Sequence, residues 1–174
     1  MAPSPSANRS PALAPALIAG GAGAALAVAL LSQYWGGLAP CLLCLWQRWA
    51  LWAAVALGVC GIAATLFGHR RLAGAVTLLA GVAALSSAGI AFFHVGVEQH
   101  WWTGTSGCGA SLIEPGLTAE ELRARIEAAP MVRCDQVSWS LFGLSMAAYN
   151  LLYSAMLGAL GVVLGWWLAR NPST

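Results

Sequence analysis

Two cysteines three positions apart, Cys41 and Cys44, precede Arg48 by one helical turn in the stretch PCLLCLWQRW, residues 40–49, at the mouth of a long apolar run. A C-x-x-C pair can exchange disulfides or supply half of a zinc site. An arginine inside an apolar span costs roughly 2.5–3.5 kcal/mol at a bilayer centre and less near an end, so keeping one beside two thiols calls for an electrostatic reason. If the second apolar helix starts near residues 42–45, its unpaired N–H groups favour an anionic sulfur, and Cys44 is expected to be primed to ionise. Arg48 then lies about 6 Å along the same face, with Gln47 beside it. Arg48 could simply lift its guanidinium to the headgroups; its company favours the other reading, a donor of hydrogen bonds to a carbonyl oxygen of an electron acceptor.

Three further cysteines occur, Cys60, Cys108 and Cys134. Cys60 is alone in mid-span, where a thiol behaves as a small hydrophobe. For the other four, static disulfides, a tetrathiolate zinc site and exchanging redox pairs compete. Zinc is disfavoured because Cys108 and Cys134 do not form a second C-x-x-C, and a C-x-x-C disulfide closes too small a ring to staple much. Exchange is favoured over a staple.

The elements that must position these residues are membrane spans. The chain has 174 residues, 59% hydrophobic and only 8% charged, against roughly 25% charged in an ordinary soluble domain, and its mean hydropathy is +0.73. A net charge of +2, with no dense basic patch, gives no footprint for nucleic acid. Apolar runs long enough to cross a bilayer predict four helices over residues 13–33, 45–67, 72–97 and 144–169, in one domain spanning 13–174 after a Pro/Ser-rich disordered tail of residues 1–12. Loops 34–44 and 98–143 fall on one side and hold the C-x-x-C pair and all six acidic residues; Arg9, Arg70, Arg71 and Arg170 fall on the other. The positive-inside rule then puts both termini in the cytoplasm and the four cysteines outside. Tryptophans agree, with Trp35, Trp101, Trp102 and Trp139 at the outer interface and Trp166 and Trp167 at the inner one. A cleaved signal peptide is the competing reading of the first run; its weak basic flank and length favour an uncleaved anchor.

Within the long loop, Thr118 and Glu121 form a predicted capping box, with Leu117 and Leu122 as a staple. A short helix is expected from Ala119 to about Ala128, stopped by Pro130. Leu122 and Ile126 share a face, and the helix is expected to lie on the membrane surface.

The chain resembles the bacterial disulfide bond formation protein B (DsbB) family over nearly all its length. PCLLCLWQR at 40–48, Cys108 and Cys134, and CDQVSWSLFGLSM at 134–146 carry the likeness. The resemblance implies an all-α membrane protein, a four-helix transmembrane bundle in the bacterial inner (cytoplasmic) membrane with its active cysteines periplasmic. It implies an enzyme, a quinone-dependent protein-disulfide oxidoreductase that reoxidises the periplasmic dithiol oxidase DsbA and passes two electrons to the membrane quinone pool, ubiquinone or menaquinone. Residue by residue, Cys108 would be attacked by DsbA, with Cys134 as its partner; Cys41 would relay by exchange with the loop pair; Cys44 would face the quinone ring, and Arg48 would hold the quinone. Exchange needs in-line access, so the loop carrying Cys108 is expected to be mobile, as TGTSGCGAS at 103–111 suits. Gln47 and His94 complete the expected quinone contacts, and no metal is expected. Gln47 departs from the family pattern, in which a glutamate can precede the arginine. His94 either assists proton movement or hydrogen-bonds between helices, Glu98 is expected only to cap an interface, and His100 to be a solvated loop residue.

Two other classes stay in view. A vitamin K epoxide reductase-like enzyme also links thiols to quinones, but has its loop cysteines before the C-x-x-C. A non-enzymatic scaffold or soft-metal-binding protein would want Met or His near the thiols, and none is beside Cys41 or Cys44 in sequence.

Overall fold

The computed structural model describes residues 11–105, 108, 118–128 and 132–171, with the side chains of residue 122 and of residues 125–128 not described. Four helices carry the architecture: α1 (Leu13–Tyr34), α2 (Leu42–Leu66), α3 (Arg70–Glu98) and α5 (Met146–Arg170), with the short α4 (Ala119–Ala128) and a hairpin of β1 (Ser140–Leu141) and β2 (Leu144–Ser145) between α3 and α5. Each long helix has 22 to 29 residues and the apolar composition to cross a membrane, so this is a four-helix transmembrane bundle as expected. Residues 1–10 of the expected tail, with Arg9, lie outside the described residues.

The element ends follow from local chemistry. α2 begins three residues before the predicted start because Cys41 acts as its N-cap, its sulfur accepting from the Cys44 amide at 3.4 Å. α5 begins at Met146 because the Ser145 hydroxyl accepts from the Ala148 amide at 3.2 Å. The α4 capping box forms as predicted: the Thr118 amide donates to Glu121 Oε2 at 2.9 Å and the Glu121 amide donates to Thr118 Oγ1 at 3.3 Å. The staple residue Leu117, Pro130, and the side chains of Leu122 and Ile126 lie outside what is described.

The hairpin is absent from the sequence reading. Ser140 pairs with Ser145 and Leu141 with Leu144, and the two-residue loop Phe142-Gly143 has φ of 50° and 78°, a type I′ geometry that glycine permits. The signal is the alternation S-L-F-G-L-S with glycine at its centre, which the apolar run feeding α5 concealed.

α3 is the central helix, packed against α5 on one side and α2 on the other, while α1 lies mainly on α2. In lipid, helices associate through close backbone approach rather than apolar burial. The α3–α5 seam is built that way: a Cβ at Gly81 would lie 2.5 Å from the Val162 nitrogen, and one at Gly161 would lie 2.7 Å from the Gly81 Cα. Ile18, Ala22, Leu26, Leu51, Ala54, Ala80, Ala84 and Leu157 fill the middle of the bundle.

Candidate active site

Where the chain enters α2, Cys41, Leu43, Val97, Cys108 and Cys134 form one buried cluster. Cys108 and Cys134 are joined by a disulfide with Cα atoms 5.0 Å apart, and the Cys134 amide donates to the Cys108 carbonyl. Cys41 and Cys44 are free thiols with sulfurs 3.1 Å apart. The two pairs are thus adjacent and in opposite oxidation states.

The geometry favours Cys41, not Cys44 as the sequence suggested, as the more acidic sulfur of the reduced pair. As the N-cap residue, Cys41 receives the helix N–H groups, whereas Cys44 is already in the first turn and spends its own amide on Cys41. The Cys44 thiol, the Cys44 amide and the His94 ring all converge on Cys41 Sγ, and the sulfur–sulfur hydrogen bond holds the Cys41 thiol below the usual thiol range against the opposing effect of burial.

His94 enters this site from α3. Its Nε2 is 3.5 Å from Cys41 Sγ, its Nδ1 is 3.0 Å from Gln47 Nε2, and Glu98 Oε1 lies 3.8 Å from Nε2. A chain of amides sets the tautomer of this state. Asn150 Nδ2 donates to Gln47 Oε1 at 2.7 Å and to Ser87 Oγ at 3.1 Å, and Ser154 Oγ donates to Asn150 Oδ1 at 2.9 Å. In this arrangement Gln47 presents its NH₂ to His94, so Nδ1 accepts and the ring proton sits on Nε2, facing Cys41 and Glu98. Glu98 does more than cap an interface: it is buried and accepts a hydrogen bond from Ser145 Oγ.

The Arg48 guanidinium is engaged by α1. Its Nη1 donates to Gln33 Oε1 and its Nη2 donates to the Ala29 carbonyl at 3.1 Å, tying it to α1, and among the described residues no carboxylate pairs with it. Cys41, Cys44, Arg48, His94 and Glu98 line one cleft of about 50 Å³, covered by Leu38, Ala39 and Pro40 from one loop and by Arg133, Gln136, Ser138 and Trp139 from the other. Gln47 does not line it. Buried between α2, α3 and α5, it positions His94 instead. Cys60 is exposed on the helix surface, away from the cluster.

Cys108 is covered rather than presented: it is 1% exposed, packed with Leu43 and Val97, and its sulfur contacts Thr105 Oγ1 at 3.3 Å. The apolar surface of the disulfide explains why it folds onto the bundle. Most of the Gly/Ser-rich stretch around it lies outside the described residues. Sequence reasoning missed Asn150, Ser145, Ser87 and Gln33. Their partners are 15 to 103 positions away, beyond the reach of spacing; the only available cue was a polar residue within an apolar span, at Asn150 and Ser87.

The described site fits a quinone in its donors but not in its volume. Arg48, His94 and Glu98 offer polar groups beside apolar Pro40, Trp139 and Met146, while the enclosed 50 Å³ holds water rather than a ring, so a ring would sit at the cleft mouth unless the cleft widens.

The family model described as "Disulfide bond formation protein DsbB" matches residues 11–164. Among curated proteins, the disulfide bond formation protein B of Xylella fastidiosa (strain Temecula1) is 30% identical over 149 residues, covering 84% of each chain. That of Herminiimonas arsenicoxydans is 33% identical over 142 residues, 75% of this chain and 85% of the relative. That of Methylococcus capsulatus is 33% identical over 157 residues, 85% and 89%. No solved structure matches the chain. With a match from α1 into α5, four helices able to span a membrane and two apposed cysteine pairs, the chain belongs to the DsbB family of membrane disulfide bond formation proteins.

Proposed function

We propose that the chain reoxidises a DsbA-like periplasmic dithiol protein and passes two electrons through Cys108/Cys134 and Cys41/Cys44 to ubiquinone or menaquinone in the bacterial inner membrane, with both termini cytoplasmic. One observation carries the reading: a disulfide and a dithiol share one buried cluster, with the more acidic sulfur of the dithiol capping a helix.

The donor's thiolate attacks Cys108 Sγ, breaking its bond to Cys134; the donor's second thiol then releases the donor as a disulfide and leaves the loop pair reduced. Because Cys108 is buried, its segment must lift from Leu43 and Val97 for this attack. A loop thiolate next attacks Cys41 of a Cys41–Cys44 disulfide, freeing Cys44, and closing the loop disulfide releases Cys41. The arrangement described above, loop pair oxidised and helix pair reduced, is the state that follows this relay.

A quinone bound beside Cys44 supplies a two-electron, two-proton acceptor. The chain's residues do the rest. The Cys41 thiolate closes on the Cys44 sulfur as the pair gives up two electrons and one proton. The Glu98 carboxyl, which lines the same cleft, would deliver the second proton and regain it from solvent, while His94 keeps its Nε2–H, 3.5 Å from Cys41 and 3.8 Å from Glu98, as a hydrogen-bond donor to the Cys41 sulfur. Arg48, with two of its five N–H donors engaged by Gln33 and Ala29, keeps others for a carbonyl oxygen.

The test is turnover of purified protein with reduced donor and short-chain quinone, followed by quinone absorbance. Cys44→Ser reduces turnover to background, while Cys134→Ala accumulates a covalent adduct with the donor. Unchanged turnover in Cys44→Ser sinks the mechanism.

A further inference from the structure

Cys41 Sγ, Cys44 Sγ and His94 Nε2 all lie within 4.8 Å of one another. A histidine absent from the neighbourhood in sequence, whose absence counted against a soft-metal site, is supplied by the fold. For a tetrahedral d¹⁰ cation with arms of about 2.3 Å to sulfur and 2.0–2.1 Å to nitrogen, the ligand atoms sit roughly 3.8 Å (S···S) and 3.6 Å (S···N) apart. The observed separations are 3.1 Å between the sulfurs and 3.5 Å from Cys41 to His94, with the Cys44–His94 edge within 4.8 Å, so the sulfurs need part by about 0.7 Å, a change of side-chain torsion rather than of backbone. The cleft of about 50 Å³ beside them leaves a fourth position for water.

We propose that the reduced Cys41/Cys44 pair and His94 form a binding site for one soft divalent cation of the zinc and cadmium class, present only in the dithiol state, and that occupancy withdraws the pair from electron transfer. Binding replaces the Cys44 S–H bond and the hydrogen bonds to the Cys41 thiolate by two sulfur–metal bonds and releases the Cys44 proton to solvent, with no change of oxidation state. Coordination at Nε2 requires the ring proton to move to Nδ1, so Gln47 must turn its carbonyl toward His94 and Asn150 must turn with it. The network permits this inversion because it ends on Ser87 and Ser154, whose hydroxyls both donate and accept. Orienting partners of this kind alter metal affinity by roughly 10–100-fold.

The site itself needs no electron route, whereas the inhibition rests on the proposed quinone reading, and the two are tested separately. The full chain carrying Cys60→Ser, Cys108→Ser and Cys134→Ser is reduced with a phosphine, desalted in detergent and titrated with Cd²⁺, following the thiolate-to-cadmium charge-transfer band. One equivalent saturates the band, and the Cys41–Cys44 disulfide form gives none. His94→Gln weakens binding at least about tenfold, and Gln47→Glu, which supplies a permanent acceptor for the Nδ1 proton, tightens it about tenfold. Equal affinity in the parent and His94→Gln, or a band that persists in the disulfide form, overturns the site whatever the protein's activity. In the wild type with donor and quinone, Zn²⁺ stops turnover and a chelator restores it; full turnover at zinc concentrations that saturate the titrated site overturns the inhibition. Absence of turnover in metal-free wild type overturns the quinone reading alone and leaves the titration result standing.

Discussion

The two ends of the α3–α5 seam are built on opposite principles. Toward the basic end, Gly81, Gly158 and Gly161 bring the backbones together with no room for a Cβ. Toward the cysteine end, the same helices are joined through His94, Glu98, Ser87, Asn150 and Ser145, with Gln47 reaching in from α2. A polar layer at such depth is costly if any member lacks a partner, yet among the described residues no buried side-chain polar atom does. The contrast teaches a division of labour. The glycine seam can only lock, whereas the amide layer can exchange donors for acceptors without moving a helix, as the proposed proton transfer would require.

The comparison breaks first, and hardest, at the glycine seam. Gly81→Leu forces a side chain into the Val162 backbone and is expected to cost about 3 kcal/mol or more. Unfolding in mixed detergent measures it, and wild-type stability would show that the seam is no lock. Asn150→Leu deletes the hub of the amide layer and leaves Gln47 half-satisfied, for a loss of about 2 kcal/mol. Because the His94 tautomer is then no longer imposed, the pH profile of turnover is expected to shift as well, a change that a purely structural hub would not produce. Arg48→His removes a charged donor while leaving both helices packed, and raises the apparent KM for short-chain quinone by roughly tenfold with the donor KM unchanged; a rise in both would place Arg48 in the scaffold instead.

The smallest effect is electrostatic and concerns the loop pair. Arg133 holds the Asp135 carboxyl below its ordinary value near 3.8, through paired contacts that include Nε to Oδ1 at 2.9 Å. A carboxyl held down in the folded chain contributes stability at pH above its unfolded value and loses it as pH falls through the lower folded value. Amide exchange at Cys134 is therefore expected to quicken only below about pH 4, and not in Asp135→Asn; the pair is exposed and screened, so the change is slight.

Much of this was legible in the chain. Span lengths are set by the thickness of a bilayer, so all four helices emerged within three residues of their ends, and the Thr118–Glu121 box, a local motif, gave α4 to the residue. The grouping of Cys41, Cys44, Cys108 and Cys134 followed from topology. What stayed hidden depends on helix rotation. Whether His94 turns toward Cys41 or toward lipid, and whether Gln47 faces the cleft or α5, is decided by a small change of azimuth that an apolar helix with little amphipathic contrast does not encode. The choice of Cys41 over Cys44 as the more acidic sulfur turned on where α2 starts, which makes Cys41 its N-cap and leaves Cys44 inside the first turn.

The hairpin ahead of α5 has a mechanical consequence. Phe142, 91% exposed, is carried on a two-residue loop whose positive φ angles leave little play, and Tyr149 Oη buttresses it by donating to the Leu141 carbonyl at 3.0 Å. In a bilayer, a stiff ring-tipped loop at the start of α5 would act as a depth stop for that end of the helix. Any variation in bilayer thickness would then be taken up at the other end, where Arg170 stacks over Trp166.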